Sequence, residues 1–233
     1  MSTPSFYLLL TSDGQAFRGN GYTPDGTIPA GAIPCTQDQA QNWQQYVPSN
    51  NEIVAAPDNV LLQQAQSTQI ALVTQSYNKA TDYVPVTING TTYQVDNTAG
   101  KQALNLSLAI TANAMLQSPA WAASTEYGAG AYCNVGGVIL FCSASGKSGS
   151  TAPTPPTTFG TPVTDGTAEW ELLGRKVYLQ GGSFVYMTPQ QIMSAFQQGE
   201  LYLHQMSNQL ELLKAEIMAA TTVTEVQTFE LLR

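Results

Sequence analysis

Charge is scarce in this chain of 233 residues. Asp, Glu, Lys and Arg together make up 10% of it, against roughly 25% in an ordinary globular protein. The 8 cations stand against 16 acids, a formal net charge of -8. Arg18, Lys79, Lys101, Lys147, Arg175, Lys176, Lys214 and Arg233 form no basic patch in the sequence. Nucleic-acid affinity comes from clustered Lys and Arg on phosphates, so no nucleic-acid partner is expected. No run of about 18 apolar residues occurs, which excludes a spanning helix and any expectation of membrane insertion. Residues 1–6 lack a basic residue, and the apolar run 8–10 is too short for a signal-peptide core.

Histidine and cysteine are nearly absent too. His204 is the single imidazole, so a Ser–His–Asp or Cys–His triad would have to use it. It lies in a helical stretch near Leu203 and Met206 with only Glu200 close by, and reads as a helix-face residue. Cys35, Cys133 and Cys142 have no C-x-x-C spacing and, with one histidine, make no zinc set. A hairpin turning at residues 135–137 places Cys133 opposite Ile139. Cys142 is then roughly 10 Å further along the strand, too far for a disulfide. Free, packed thiols are expected, as suits a protein made inside a cell. No P-loop, G-x-G-x-x-G or G-x-S-x-G occurs. Glu169 and Glu171 flank Trp170 on one strand face and read as solvated rather than as glycosidase carboxylates. No catalytic residue, metal site or cofactor follows, and the chain is expected not to be an enzyme.

What is present is Gln, Asn, Thr, Ser and Ala in place of charge, with 43% hydrophobic residues. That suffices for one large domain or two small ones. Residues 1–50 read as a strand- and loop-rich leader. Residues 6–10 form a β-rich run closed by Ser12-Asp13-Gly14, Gly and Pro punctuate 19–34, and Thr36-x-x-Gln39 is a capping box for a short helix to about Tyr46, which Pro48 and Asn50-Asn51 end. A helix is predicted over 58–79, with Leu62, Ile70, Val73 and Tyr77 on one face and Gln66 breaking the stripe. Asn89-Gly90 turns a hairpin between 84–88 and 91–95. Asp96 or Thr98 caps a helix over 102–117 that carries Leu104, Leu108 and Met115, with Leu106 and Ile110 on an adjacent face.

The texture changes over 119–176, which is rich in Gly, Ser, Thr, Pro and aromatics with short alternating strands. A second hairpin follows around Gly181-Gly182. Thr188 then caps, Pro189 takes the first helical position and Gln191 completes the box of a helix running to about Ala220. Ile192, Phe196, Gly199, Leu203, Met206, Leu210, Leu213 and Ile217 alternate in spacings of 4 and 3, a heptad seam with a gap at Gly199. Two readings stay open: packing within the chain on 58–79 and 102–117, or self-association. The residues that would form an oligomer seam are Ile192, Phe196, Leu203, Met206, Leu210, Leu213 and Ile217. The expected fold class is α+β. Helices and short hairpins (51–118 and 177–233) form a frame, 119–176 is an inserted small all-β module, and a long coiled-coil-like helix closes the chain.

Trp121, Ser124-Thr125, Tyr127, Gly128-Ala129-Gly130, Phe141-Cys142 and Asp165-Gly166-Thr167-Ala168-Glu169-Trp170 carry a resemblance of 119–173 to the small carbohydrate-binding modules of bacterial chitinases and phage tail proteins. The frame, through residues 88–96, 184–188 and 219–222, resembles a domain of unknown function at the C-termini of phage tail and fibre proteins. The first 47 residues, with Ile33-Pro34-Cys35-Thr36 and Asn42-Trp43, resemble the leader of tail-fibre-associated proteins. These resemblances imply a non-enzymatic structural component of a phage tail, baseplate or tail fibre, made in the host cytoplasm and located in the virion. Its partners would be other tail or baseplate proteins and copies of itself, trimer first and dimer second, with a host-surface glycan or a neighbouring fibre on the module. The resemblance makes Trp121, Tyr127 and Trp170 the glycan-binding candidates, although a module with so few large apolar residues also needs its rings as core. The alternative is a tail-fibre assembly chaperone that does not stay in the particle.

Overall fold

The computed structural model describes residues 5–50 and 52–230. In chain order it runs β1 (Ser5–Leu10), β2 (Phe17–Thr23), β3 (Ala32–Cys35), α1 (Gln37–Gln41), β4 (Tyr46–Ser49), β5 (Glu52–Ala55), α2 (Asp58–Thr81), β6 (Tyr83–Ile88), β7 (Thr91–Asp96) and α3 (Ala99–Leu116). A β-rich stretch follows with β8 (Glu126–Tyr127), β9 (Tyr132–Val135), β10 (Val138–Ala144), β11 (Gly146–Lys147), β12 (Val163–Asp165) and β13 (Ala168–Leu172). The chain ends on β14 (Arg175–Tyr178), β15 (Phe184–Met187), α4 (Pro189–Ala219) and α5 (Val223–Val226). The fold is α+β. No helix among the described residues is long and apolar enough to cross a membrane. Two compact units divide the contacts: residues up to Val73 with Leu213–Glu230, and Thr74–Leu212. The chain passes between them inside α2 and α4.

In the first unit β1 is central in an antiparallel sheet ordered β2-β1-β3. Leu8 is buried at its middle, against Phe17 and Ile33. The sequence reads 19–34 as loop-rich, yet β2 runs straight through Gly19 and Gly21. Glycine is a strand residue here because the Tyr7 ring lies on Gly21, where a Cβ would sit 2.2 Å from its Cζ. The Thr36 box forms as expected, Gln39 N–H donating to Thr36 Oγ1 and Thr36 N–H to Gln39 Oε1. Beyond it the chain makes a hairpin, β4 with β5, turning at Asn50 with φ 50°. Asn51 lies outside the described residues.

Gln66 does not break the α2 stripe. It is 7% exposed, and its amide donates to the carbonyls of Met218 and Ala220 at 3.2 Å each. Those carbonyls belong to the end of α4, where a helix has no internal partner for its last C=O groups. Gln69, one turn on, donates to the Phe229 carbonyl. Two residues past Ala220, Thr222 caps α5 by accepting from Glu225 N–H.

In the second unit the β6–β7 hairpin turns at Asn89 (φ 51°) and Gly90 (φ 79°), as Asn-Gly requires. Val84, Val86, Ile88 and Val95 on its inner face pack with Ala112 of α3, Val177 and Met187 of the β14–β15 hairpin, and Ile192 and Ala195 of α4. The expected face of α3 is buried in part. Met115 is buried and Leu108 packs on the core, joined by Ala109 and Ala112, while Leu104 is exposed along with Leu106 and Ile110 of the adjacent face. Thr98 occupies the N-cap position without a side-chain cap; its hydroxyl donates instead to Asp96 at 2.6 Å.

Residues 119–173 form a four-stranded sheet ordered β12-β13-β10-β9, with β8–β11 beside it. β10 is sandwiched. Leu140 and Cys142 point into the module core with Cys133, Val135, Ala168 and Trp170. Ile139 points the other way, with Leu173, onto Met115 of α3. The first and last residues of the segment meet one cross-strand pair. Asn134 and Ile139 are partners, Trp121 N–H donates to Asn134 O, and Leu173 N–H donates to Ile139 O.

Candidate functional site

The module rings converge on one carboxylate. Asp165 ends β12 and is 5% exposed. Its Oδ2 accepts from the indole N–H of Trp121 at 2.7 Å and of Trp170 at 3.1 Å. Its Oδ1 accepts from Gly149 N–H at 2.7 Å. Tyr127 meets Trp170 edge-on, centroids 4.8 Å apart, and its hydroxyl accepts from Ala122 N–H at 2.8 Å. Gly166, φ 64°, makes the turn to β13 where a Cβ would sit 2.2 Å from Lys147 O. The Asp-Gly-Thr-Ala-Glu-Trp run is therefore a folding device: anchor, tight turn, buried Ala168 and buried Trp170.

The three expected glycan-binding rings differ in what they can present. Trp170 is 0% exposed and has no face for a sugar. Trp121 and Tyr127 are half-buried against the same core, with their polar tips engaged inside the module. Sequence reasoning quoted Asp165 but missed its role. The available signal was two tryptophans in a small module whose indole N–H groups needed an acceptor. Glu169 and Glu171 lie on the β13 face opposite Trp170.

Cys133, Cys142 and Cys35 are free. The turn is Gly136-Gly137, so Cys133 faces Leu140 rather than Ile139, and Cys142 faces Trp170. Burial pushes the Cys133 thiol up to about 12, with smaller contributions from Asp165 and Cys142. Burial raises Cys142 and Cys35 as well. These are packed thiols, poor as nucleophiles. His204 is exposed on α4, its Nε2 3.1 Å from Asn208 Nδ2. Among the described residues no group of three or more His, Cys, Asp or Glu could hold a metal ion.

The α4 seam is buried to different degrees in the single chain: Ile192, Met206, Leu210 and Ile217 are buried, and Phe196, Leu203 and Leu213 are half-buried. Of the seven residues expected to form an oligomer seam, three thus keep part of their surface exposed. The gap at Gly199 also has an explanation. Val84 of β6 closes on it, 3.4 Å from where a Cβ would stand. Beside that contact lies an apolar cavity of about 370 Å³ between β6, α3 and α4, with Leu108, Phe196 and Leu203 in its wall.

Compared with known proteins, the chain matches no family model, no curated protein and no solved structure.

Proposed function

We propose that this chain is a non-enzymatic structural component of a phage tail, baseplate or tail fibre, held in the particle by its helical frame and displaying residues 119–173 toward a host-surface glycan or a neighbouring fibre. The observation that carries the display part is the return of the segment to its starting point. Both ends hydrogen-bond to the Asn134–Ile139 pair, the arrangement that lets a module be inserted without disturbing its host. The tail assignment is supported by the resemblance of the frame and leader to phage tail proteins. With its own rings turned inward, the module acts as a rigid spacer whose loops and neighbouring surfaces do the contacting. Its partners are other tail proteins, and a copy of itself where the organelle is rotationally symmetric.

The test is mass spectrometry of purified particles of the phage that encodes the chain. Recovery at a fixed ratio to known tail proteins supports the reading. Abundance in the infected-cell lysate together with absence from particles overturns it and favours the assembly chaperone.

A further inference from the structure

The outward face of the β14–β15 hairpin is built unlike the rest of the frame. In β14 and β15, Val177 and Met187 point into the core. Register then places the opposite residues on the outer side: Lys176 across from Tyr186, and Tyr178 across from Phe184. The β6–β7 hairpin presents Thr87 and Thr92 outward, hydroxyl to hydroxyl at 3.0 Å, whereas β14–β15 presents three rings and an ammonium. Phe184 and Tyr186 are 47% and 43% exposed, far more than an aromatic needed for packing.

A fourth ring extends the row. Phe159 lies 5.7 Å from Tyr186, and Phe184 lies 5.7 Å on the other side. Phe159 is held in place by the backbone, its ring standing where a Cβ on Gly174 would be 2.5 Å away. Cations are interleaved with these rings. Lys176 Nζ is 4.5 Å from the Phe184 centroid and 5.9 Å from that of Tyr186. Lys101 Nζ is 3.8 Å from the Tyr178 centroid. Among the described residues neither ammonium has a carboxylate partner; each rests on rings only, a modest attraction at exposed sites. Two of the 8 cations of a chain with net charge -8 thus sit on one small aromatic face.

We propose that this face binds an acidic carbohydrate chain, with sugar rings packing on Tyr186 and Phe159, Phe184 walling the site edge-on to Tyr186, and the carboxylates or phosphates of the sugars paired to Lys176 and Lys101. Tyr186 is tilted 39° from Phe159 and stands at 88° to Phe184, both at 5.7 Å, so the rings form a shallow cradle rather than a flat platform. The tyrosine hydroxyls add donors and acceptors for sugar hydroxyls, and the ammoniums select for anionic sugars by charge complementarity. The inference rests on the display reading above and moves recognition from the module interior to this hairpin.

The full-length chain, fluorescently labelled, is applied to an array carrying uronate-, sialate- and phosphate-bearing oligosaccharides beside neutral ones, including N-acetylglucosamine oligomers. Retention on acidic glycans at least tenfold above neutral ones is expected. Phe184→Ser with Tyr186→Ser lowers it tenfold or more at an unchanged circular-dichroism spectrum. Lys176→Gln, which conserves size and fold, weakens acidic glycans and leaves neutral ones unaltered. Empty acidic spots overturn the inference, and so does retention unaffected by all these changes. In the second case the display reading survives and recognition lies elsewhere on the chain. Absence of the chain from purified particles would remove the display reading independently of the array.

Discussion

Asp165 shows how a single residue decides the character of the module. Two indole N–H groups and one backbone N–H end on its buried carboxylate. Removing the acceptor strands all three donors, and hydrogen bonds to charged groups are worth more than neutral ones. Asp165→Ala is expected to cost about 3 kcal/mol or more, read as a fall in melting temperature and loss of the near-ultraviolet tryptophan dichroism. An unchanged tryptophan signal would mean the indoles are not held by this residue. Cys133 supplies a second residue-scale expectation. Its thiol is raised by burial from 9.0 to about 12, so the folded chain holds its proton where the unfolded chain has released it. That contribution is complete below pH 9.0 and is lost as pH rises toward 12, at up to about 1.4 kcal/mol per pH unit. Denaturant titrations between these limits should show a steeper decline for wild type than for Cys133→Ala; parallel slopes would refute it.

Among the elements, Gln66 gives the sharpest contrast between pattern and structure. An apolar stripe on α2 invites leucine at this position, yet the amide satisfies carbonyls at the end of α4. Gln66→Leu is therefore expected to destabilise by about 1–3 kcal/mol despite improving the stripe, measured by urea unfolding. Stabilisation instead would show that water serves those carbonyls equally well. Turn and cap chemistry is legible in the sequence because its cause is local. Asn89-Gly90, the Thr36 box and Thr188-Pro189 with Gln191, whose side chain accepts from Thr188 N–H at 2.9 Å, each act within a few residues. Facing is not local. That α3 buries Ala109 and Ala112 and exposes Ile110 depends on how closely the hairpin and α4 approach. That β2 is a strand depends on Tyr7 lying over Gly21. For the site, the aromatic residues are legible as a set, but their direction follows from Asp165 in one case and from strand register in the other.

At the level of the whole molecule, the question is what stabilises the long helix. A 31-residue helix with a heptad seam is sustained either by its own chain or by a copy, and the two differ in concentration dependence. Association shifts apparent stability by mass action, so a seam shared between copies makes the melting temperature rise with protein concentration. Here Met206, Leu210 and Ile217 are buried in the single chain, and Val84 fills the position beside Gly199. The melting temperature of the purified protein should therefore be independent of concentration. Leu210→Asp places a carboxylate in a covered site and costs several kcal/mol, so it should lower the melting temperature by the same amount at every concentration. Light scattering on the same samples gives the mass. A trimer or dimer whose mass is unaltered by a milder seam change, Leu210→Ala, would assemble through other surfaces and agree with the buried seam. A melting temperature that climbs with concentration, together with dissociation of Leu210→Ala, would place the seam between copies and require the chain to unpack its own core to assemble.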